Sequence, residues 1–343
     1  MPAPASPTAD APAVTPMAFV RAMVAAYERR GLDPARALAQ ARIAPEQVRR
    51  PQARITAWQM ERISYAAMQE LDDEGLGCFQ RPLPWGSYGM LARASLSAPQ
   101  LGRALRRWCR HHRLITDDIA LAVESEGDTA RIALRPVHDP SVATEFCVVS
   151  VLRNILGLAS WYIDSRIPLS AAHFPYAPPP HVDAYEVLFD GPCTFRADHA
   201  AIVFDARYLS LPIKRDEAAM NQMLQRALPL TVRAYRRDRL LVQRVRQTLA
   251  AHPLDTHNAD DLATLLNVST RTLHRQLKEE GASLQALKDE VRRQRAIELL
   301  LRTKRPIKQV AQATGFQNEK SFIRAFKAWT GRSPGEWRGE QAP

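Results

Sequence analysis

The sequence predicts an α+β N-terminal domain, a small and mostly antiparallel sheet with helices, followed by an all-α C-terminal domain with two helix-turn-helix motifs joined by a long helix. Three observations predict it. From Ile119 the stretch IALAVESEGDTARIALRPV holds two alternating runs around an acidic, glycine-containing turn, the pattern of a hairpin with one buried face. Two helix-turn-helix patterns follow in tandem, Asp260 to Gly281 and Pro306 to Gly331. The charge also divides: residues 231–343 hold 22 Lys+Arg against 12 Asp+Glu, and residues 1–230 hold 25 against 24, so nearly all of the net +11 lies in the last third. With 343 residues, 46% of them hydrophobic, the chain is long enough for two substantial cores.

In chain order, MPAPASPTADAPAVTP is Pro/Ala-rich, lacks a basic n-region and an apolar h-region, and reads as a disordered tail over residues 1–16. Residues 17–229 form the next domain. Phe19, Met23 and Tyr27 recur every four residues before breakers at Gly31, Pro34, Pro45 and Pro51. A helix from Trp58 to Leu71 places Met60, Ile63, Ala67 and Leu71 on one face, with Thr56 as its cap. The stretch RPLPWGSYG reads as a loop before a helix around Leu101 to Trp108. After the hairpin, Phe146 to Tyr162 reads as a buried helix, and strands are expected at Ala171–Phe174, Cys193–Arg196 and Ala201–Phe204, with a short helix at Tyr185–Leu188. The apolar window Phe146 to Ile163 is interrupted by Arg153 and Asn154, which would be costly at bilayer depth, so no transmembrane helix is predicted. Residues 230–252 are Arg-rich and read as a helical linker to the domain at 253–340.

The cysteines Cys78, Cys109, Cys147 and Cys193 are spaced for neither a zinc site nor a disulfide framework, which points to reduced thiols and a cytoplasmic protein. His111, His112, His173, His181 and His199 match no ligand set, so no metal or cofactor is expected. Asp117 and Asp118 are adjacent and point in different directions; no catalytic set is read and the chain is not expected to be an enzyme.

Each tandem motif has a short apolar helix with a small residue inside it (Ala263, Ala311), a tight turn four residues on, and a second helix with basic residues on one side, the geometry that lays a helix in a DNA major groove. In the first, Asp260 or Asp261 caps a helix whose Leu262, Leu265 and Leu266 face inward, and Asn267 takes the turn, where positive φ favours Gly and tolerates Asn. Ser269 caps the next helix and Leu273 and Leu277 seat it. Thr270, Arg271, His274, Arg275 and Lys278 then face outward, types suited to guanine edges, thymine methyls and phosphates. In the second, Gly315 supplies the turn, Phe316 packs under it, and Phe322, Phe326 and Trp329 seat the helix, leaving Asn318, Glu319, Lys320, Arg324 and Lys327 outward. Between them Ser283 caps a helix to about Leu301, a rigid connector that would place the two major-groove entries about one helical turn apart.

From about Leu254 to Arg338 the chain resembles the AraC/XylS-type DNA-binding domain. The resemblance is carried by Leu262-Ala263, Val268-Ser269, Leu273, Gly281, Ala296, Leu299-Leu300, Val310-Ala311, Gly315-Phe316, Phe322, Phe326-Lys327, Gly331 and the closing Ser333-Pro334-x-x-Trp337-Arg338. Asn267, Leu277 and Trp337 stand where glycine, phenylalanine and tyrosine are usual. The stretches GLDPARALAQARI, WGSYGMLARASLSAPQLGRALRRW and FDGPCTFRADHAAIVFDARYLS resemble the sensor domain of the ornithine- and arginine-responsive branch of that family. What the resemblance implies is a sensor that binds a small-molecule effector, a carboxylate, amino acid or acyl compound. It also implies a homodimer that activates transcription from nearby promoters through contact with RNA polymerase.

For the effector, Arg106, Trp108, His112 and Trp161 are the candidate residues. Trp108 and Trp161 have core packing as their other reading, and the Arg106, Arg107, Arg110, Arg113 cluster has a solvated face or dimer contact as its own. Two rival functions are a constitutive DNA-binding regulator whose first 230 residues only dimerise, and a DNA-targeted repair enzyme. The second needs a reactive thiol and usually a zinc-held cysteine cluster, and the sequence contains no such cluster.

Overall fold

The computed structural model describes residues 13–225, 227–229, 240–253, 256, 258–303 and 305–340. The chain divides into two compact units, residues 1–236 and 237–343.

In the first unit, β1 (Ala13–Pro16) pairs antiparallel with β2 (Arg54–Thr56). This corrects the expected tail at its C-terminal end: residues 13–16 are ordered by a partner forty residues on, while residues 1–12 lie outside the described residues. Helix α1 (Met17–Arg29) buries Phe19, Met23 and Tyr27, the four-residue repeat read from sequence. The short α2 (Ala35–Gln40) and α3 (Pro45–Val48) follow. In α4 (Ala57–Glu70) the Thr56 hydroxyl accepts from Gln59 N at 3.2 Å, and the Gln59 amide oxygen accepts from Thr56 N at 3.0 Å, a reciprocal cap.

Part of the expected loop before Leu101 is helical. Helix α5 (Ser87–Leu96) starts after Gly86, whose φ of +99° a side chain rarely adopts. The Glu74 carboxylate accepts from Gly86 N at 2.8 Å and Tyr88 N at 2.6 Å, so a residue twelve positions upstream satisfies the helix start. Helix α6 runs Leu101–His112, one turn beyond the expected end.

The hairpin forms as β3 (Ile119–Glu126) and β4 (Thr129–Pro136), in continuous register from Ile119↔Pro136 to Glu126↔Thr129. Gly127 and Asp128 make the two-residue turn, Gly127 at positive φ. The nineteen-residue α7 (Glu145–Ile163) is capped by Thr144, which accepts from Cys147 N at 3.3 Å. Strand β5 (Leu169–Phe174), helix α8 (Asp183–Phe189), β6 (Cys193–Phe195), β7 (Ala200–Asp205) and α9 (Glu217–Leu224) complete the unit. The five-stranded sheet has order β3-β4-β7-β5-β6, antiparallel except for the β5–β6 pair. By length and composition α7 could cross a bilayer, yet most of it is buried in the unit, packed against β4 and β7. Arg153 in its middle is buried, and burial pulls its guanidinium down to about 10.

The second unit is all helix: α10 (Leu240–Ala251), α11 (Ala259–Leu265), α12 (Thr270–Glu279), α13 (Leu284–Arg302), α14 (Ile307–Ala313), α15 (Glu319–Thr330) and α16 (Pro334–Glu340). The expected linker at 230–252 is corrected in its second half, because α10 sends Leu241, Val242, Val245 and Leu249 into a core shared with α11, α12 and the start of α13. Residues 230–239 lie outside the described residues. A second core joins Ala296 and Leu300 at the far end of α13 to Val310, Ala311, Phe322 and Phe326. One helix thus belongs to two small cores, and that shared helix ties the two motifs together.

Candidate nucleic-acid interface

The first motif begins at Asn258, not at Asp260 or Asp261. Its Oδ1 accepts from Asp261 N at 2.8 Å and the Asp261 carboxylate accepts from Asn258 N at 3.2 Å. Asn258-x-x-Asp261 is a capping box legible in the sequence, since both side chains are short acceptors three residues apart. Leu262 and Leu266 are buried, but Leu265 is exposed, a correction to its expected inward face that follows from the short helix ending there. Asn267 has φ +55°, the left-handed turn read from sequence. Ser269 then caps α12 by accepting from Thr272 N at 3.1 Å, and Leu273 and Leu277 are buried below it.

On the outer side of α12, Arg271, His274, Arg275 and Lys278 are exposed. Thr270 differs: it is half-buried and its hydroxyl donates to the Asp260 carboxylate, so it clamps the two helices of the motif together.

The second motif turns at Gly315, with φ +79° and no room for more: a Cβ there would sit 2.7 Å from the Pro253 carbonyl oxygen. Phe316 packs against Phe322 and Trp329, ring centroids 5.5 and 5.9 Å away. Asn318, expected outward, is exposed but uses its Oδ1 to cap α15, accepting from Ser321 N at 2.8 Å. Glu319 is half-buried, while Lys320, Arg324 and Lys327 are exposed.

The two helices present matching outer faces. Arg271, Arg275 and Lys278 stand at i, i+4 and i+7 of α12; Lys320, Arg324 and Lys327 stand at the same spacing on α15. Each set starts two residues after the capping side chain, Ser269 or Asn318. Each alternates with the buried pair that seats its helix, Leu273 and Leu277 or Phe322 and Phe326. A stripe at this spacing lies along one side of a helix, on the surface that would enter a groove.

Sequence reading missed Arg292. It lies on α13, its guanidinium is 5.0 Å from the Phe316 ring centroid, and it donates to the Gly315 carbonyl at 3.3 Å. Burial lowers its pKa. It buttresses the second turn from the connector, and no local pattern in the sequence marks that, because turn and arginine are 23 residues apart.

In the first unit the four candidate effector residues do not share one setting. Arg106 is exposed, while Trp108 and His112, on the opposite side of α6, are buried. Trp108 meets Tyr88 edge-on at 5.4 Å, and His112 meets Phe79 at 6.1 Å. Burial holds His112 down to about 4, and among the described residues neither its Nδ1 nor the buried Tyr88 hydroxyl has a hydrogen-bond partner. Trp161 lies on α7, under the Arg215 guanidinium at 5.2 Å. Among the described residues no three His, Cys, Asp or Glu side chains gather as a metal site requires.

The family described as the N-terminal arabinose-binding domain of AraC transcription regulator matches residues 31–213, and a helix-turn-helix domain family matches residues 262–340. The chain belongs to the AraC family of transcription regulators. An ornithine utilization regulator of Pseudomonas aeruginosa is 26% identical over 328 residues, covering 95% of this chain and 96% of that protein. An uncharacterized HTH-type transcriptional regulator of Mycobacterium tuberculosis is 24% identical over 336 residues, 94% and 95% of the two chains. The crystal structure of the transcriptional regulator CdpR from Pseudomonas aeruginosa covers 91% of this chain and 98% of its own, at 23% identity and a TM-score of 0.33. This AraC-family chain is therefore a transcription regulator, with a helix-turn-helix DNA-binding unit after an effector-binding N-terminal domain.

Proposed function

We propose that the protein is an effector-responsive activator that reads two successive major-groove segments of promoter DNA, one with α12 and one with α15. The observation that supports this most is the matched cationic stripe, Arg271, Arg275 and Lys278 beside Lys320, Arg324 and Lys327, on two helices tied to one connector. In the proposal Arg275 and Arg324 read guanine edges, the stripe ends Lys278 and Lys327 meet phosphates, and His274, Asn318 and Glu319 lie along the rims. Thr270 positions α12 through Asp260 rather than reading a base.

Selection of bound duplexes from a random library tests the reading. Two sequence elements about 10 base pairs apart are expected. Arg275→Ala should blur one and Arg324→Ala the other; recovery of a single element would sink the two-headed reading.

The effector, in this proposal, lies beside Trp108. Tyr88 packs on that indole and His112 follows Trp108 by one turn of α6; the Tyr88 hydroxyl and the His112 Nδ1 are buried without partners among the described residues, and a buried polar atom left unsatisfied costs about 1–3 kcal/mol that a ligand's polar group would offset. The ornithine named in one relative's description makes small amino acids and carboxylates the first compounds to screen by thermal shift. Tyr88→Phe should raise the melting temperature of the free protein and shrink the shift produced by the effector. An unchanged shift would move the effector site elsewhere. The same proposal includes a homodimer acting in the cytoplasm through contact with RNA polymerase.

A further inference from the structure

The near-neutrality of the first 230 residues conceals a separation of charge. Residues 75–116 contain no Asp or Glu and seven Arg, whereas the rest of that region carries 18 Lys+Arg against 24 Asp+Glu. Four of the seven, Arg103, Arg106, Arg110 and Arg113, are exposed on and just beyond α6. The opposite side of that helix, Leu101, Ala104, Leu105, Trp108 and His112, is buried, which fixes the direction in which the arginines face.

Among the described residues none of these four arginines is ion-paired. The elements packed on α6 are α5, β3, α7 and the short helix Ala206–Ser210. Neither α5 nor that short helix contains a carboxylate. Glu124 of β3 is held by Arg131 and Arg135, Glu145 of α7 by His181 and Tyr185, and Asp205 by Arg207, while Glu126 is the last residue of β3, opposite Thr129 at the hairpin turn. Solvated helix faces ordinarily intersperse both signs, so a one-sign face of arginine is suited to a partner that brings the opposite charge in a row.

We propose that this α6 face is a second DNA-contacting surface, taking the phosphate backbone of duplex beyond the segments read by α12 and α15. From Arg103 to Arg113 the face is about 15 Å long at the rise of an α-helix, which spans about four phosphates of one strand. Guanidinium groups match phosphate oxygens and stay charged at all working pH. The proposal rests on the reading that the second unit holds the chain on duplex DNA. Being in the same chain, the α6 face is tethered to any duplex the second unit holds.

The test uses the full chain with Arg103, Arg106, Arg110 and Arg113 all changed to Gln, and a second variant with all four changed to Lys. Affinity for a 60-base-pair random-sequence duplex is followed by fluorescence anisotropy across a salt series. Each lost phosphate contact lowers the slope of log affinity on log salt by about 0.9, so the Gln variant, with four contacts removed, should lose about 3.6 and the Lys variant little. An unchanged slope in the Gln variant overturns the proposal. So does an unchanged slope accompanied by lost transcription activation, which would assign the face to an acidic protein surface. Equal losses in the Gln and Lys variants would make the arginines structural and overturn it as well. Failure of the parent protein to bind any duplex would instead overturn the reading of α12 and α15 on which this one rests.

Discussion

The two reading motifs solve one geometric problem with different packing. The first seats its helix on Leu273 and Leu277, turns at Asn267, and starts its leading helix with the Asn258 capping box. The second seats its helix on Phe322 and Phe326, turns at Gly315, and starts at Pro306 with no side-chain cap. What differs is how closely other chain segments approach. Asn267 is exposed and keeps its side chain in solvent, whereas Gly315 lies under the Pro253 carbonyl and against Arg292. The first motif leans on α10, whose Arg244 donates to the Leu266 carbonyl at 3.1 Å yet leaves the Asn267 side chain in solvent; the second is built into the junction with the connector, and its larger aromatic core matches that role.

The sharpest way to break this comparison is to empty each seat. Phe322→Ala should cost about 4 kcal/mol and Leu273→Ala about 3, each opening its own core and sparing the other. Hydrogen exchange of the segments around α15 and α12 reads this directly, and loss of protection in both motifs from either variant would mean the cores are one cooperative body.

Next come the turns. Gly315→Ala should cost about 3 kcal/mol, combining left-handed strain with the 2.7 Å approach to Pro253, while Asn267→Ala should cost only about 1. Urea unfolding of the two variants compares them. Similar losses would show that backbone strain alone, rather than the approach of Pro253, makes the second turn special.

At the outer faces the motifs should behave alike despite their different supports. Arg275→Ala and Arg324→Ala should each weaken binding to the selected duplex by about 2 kcal/mol and change discrimination at one element only. Equal weakening on random duplex would reduce either arginine to a phosphate contact.

The smallest effect belongs to the cap. Asn258→Ala should lower the stability of the first motif by about 1 kcal/mol, seen as faster exchange in α11. A replacement of similar size at Pro306 has no side-chain cap to remove and should leave the equivalent exchange in α14 unchanged.

Much of this is legible in the sequence. The β3–β4 hairpin, the α7 core helix, the four-residue repeat of α1 and the two motifs all declare themselves through periodicity over eight or more residues, because burial of one face repeats with the geometry of the element. Elements that depend on a distant group stayed hidden. Strand β1 is four residues long and exists through its pairing with β2, and α5 begins where Glu74 reaches its first amides. In the segment read as a helical linker the helix itself was legible, but its place in the core was not, because its apolar residues find their partners on α11, α12 and α13.

At the reading surface the division is finer. The outward register of Arg271, Arg275, Lys278, Lys320, Arg324 and Lys327 followed from helical spacing, and exposure agrees with it. Thr270 and Asn318 share that register, yet Thr270 is bonded to Asp260 and Asn318 caps its own helix. Sequence alone determined the family, the tandem reader and the cationic stripes, since each is written in local pattern and residue type. Only tertiary structure decided which outward groups are already bonded, why Gly315 admits no side chain, and that Trp108 and His112 turn inward while Arg106 faces water. Those outcomes depend on contacts between segments far apart in the chain, and no local period encodes them.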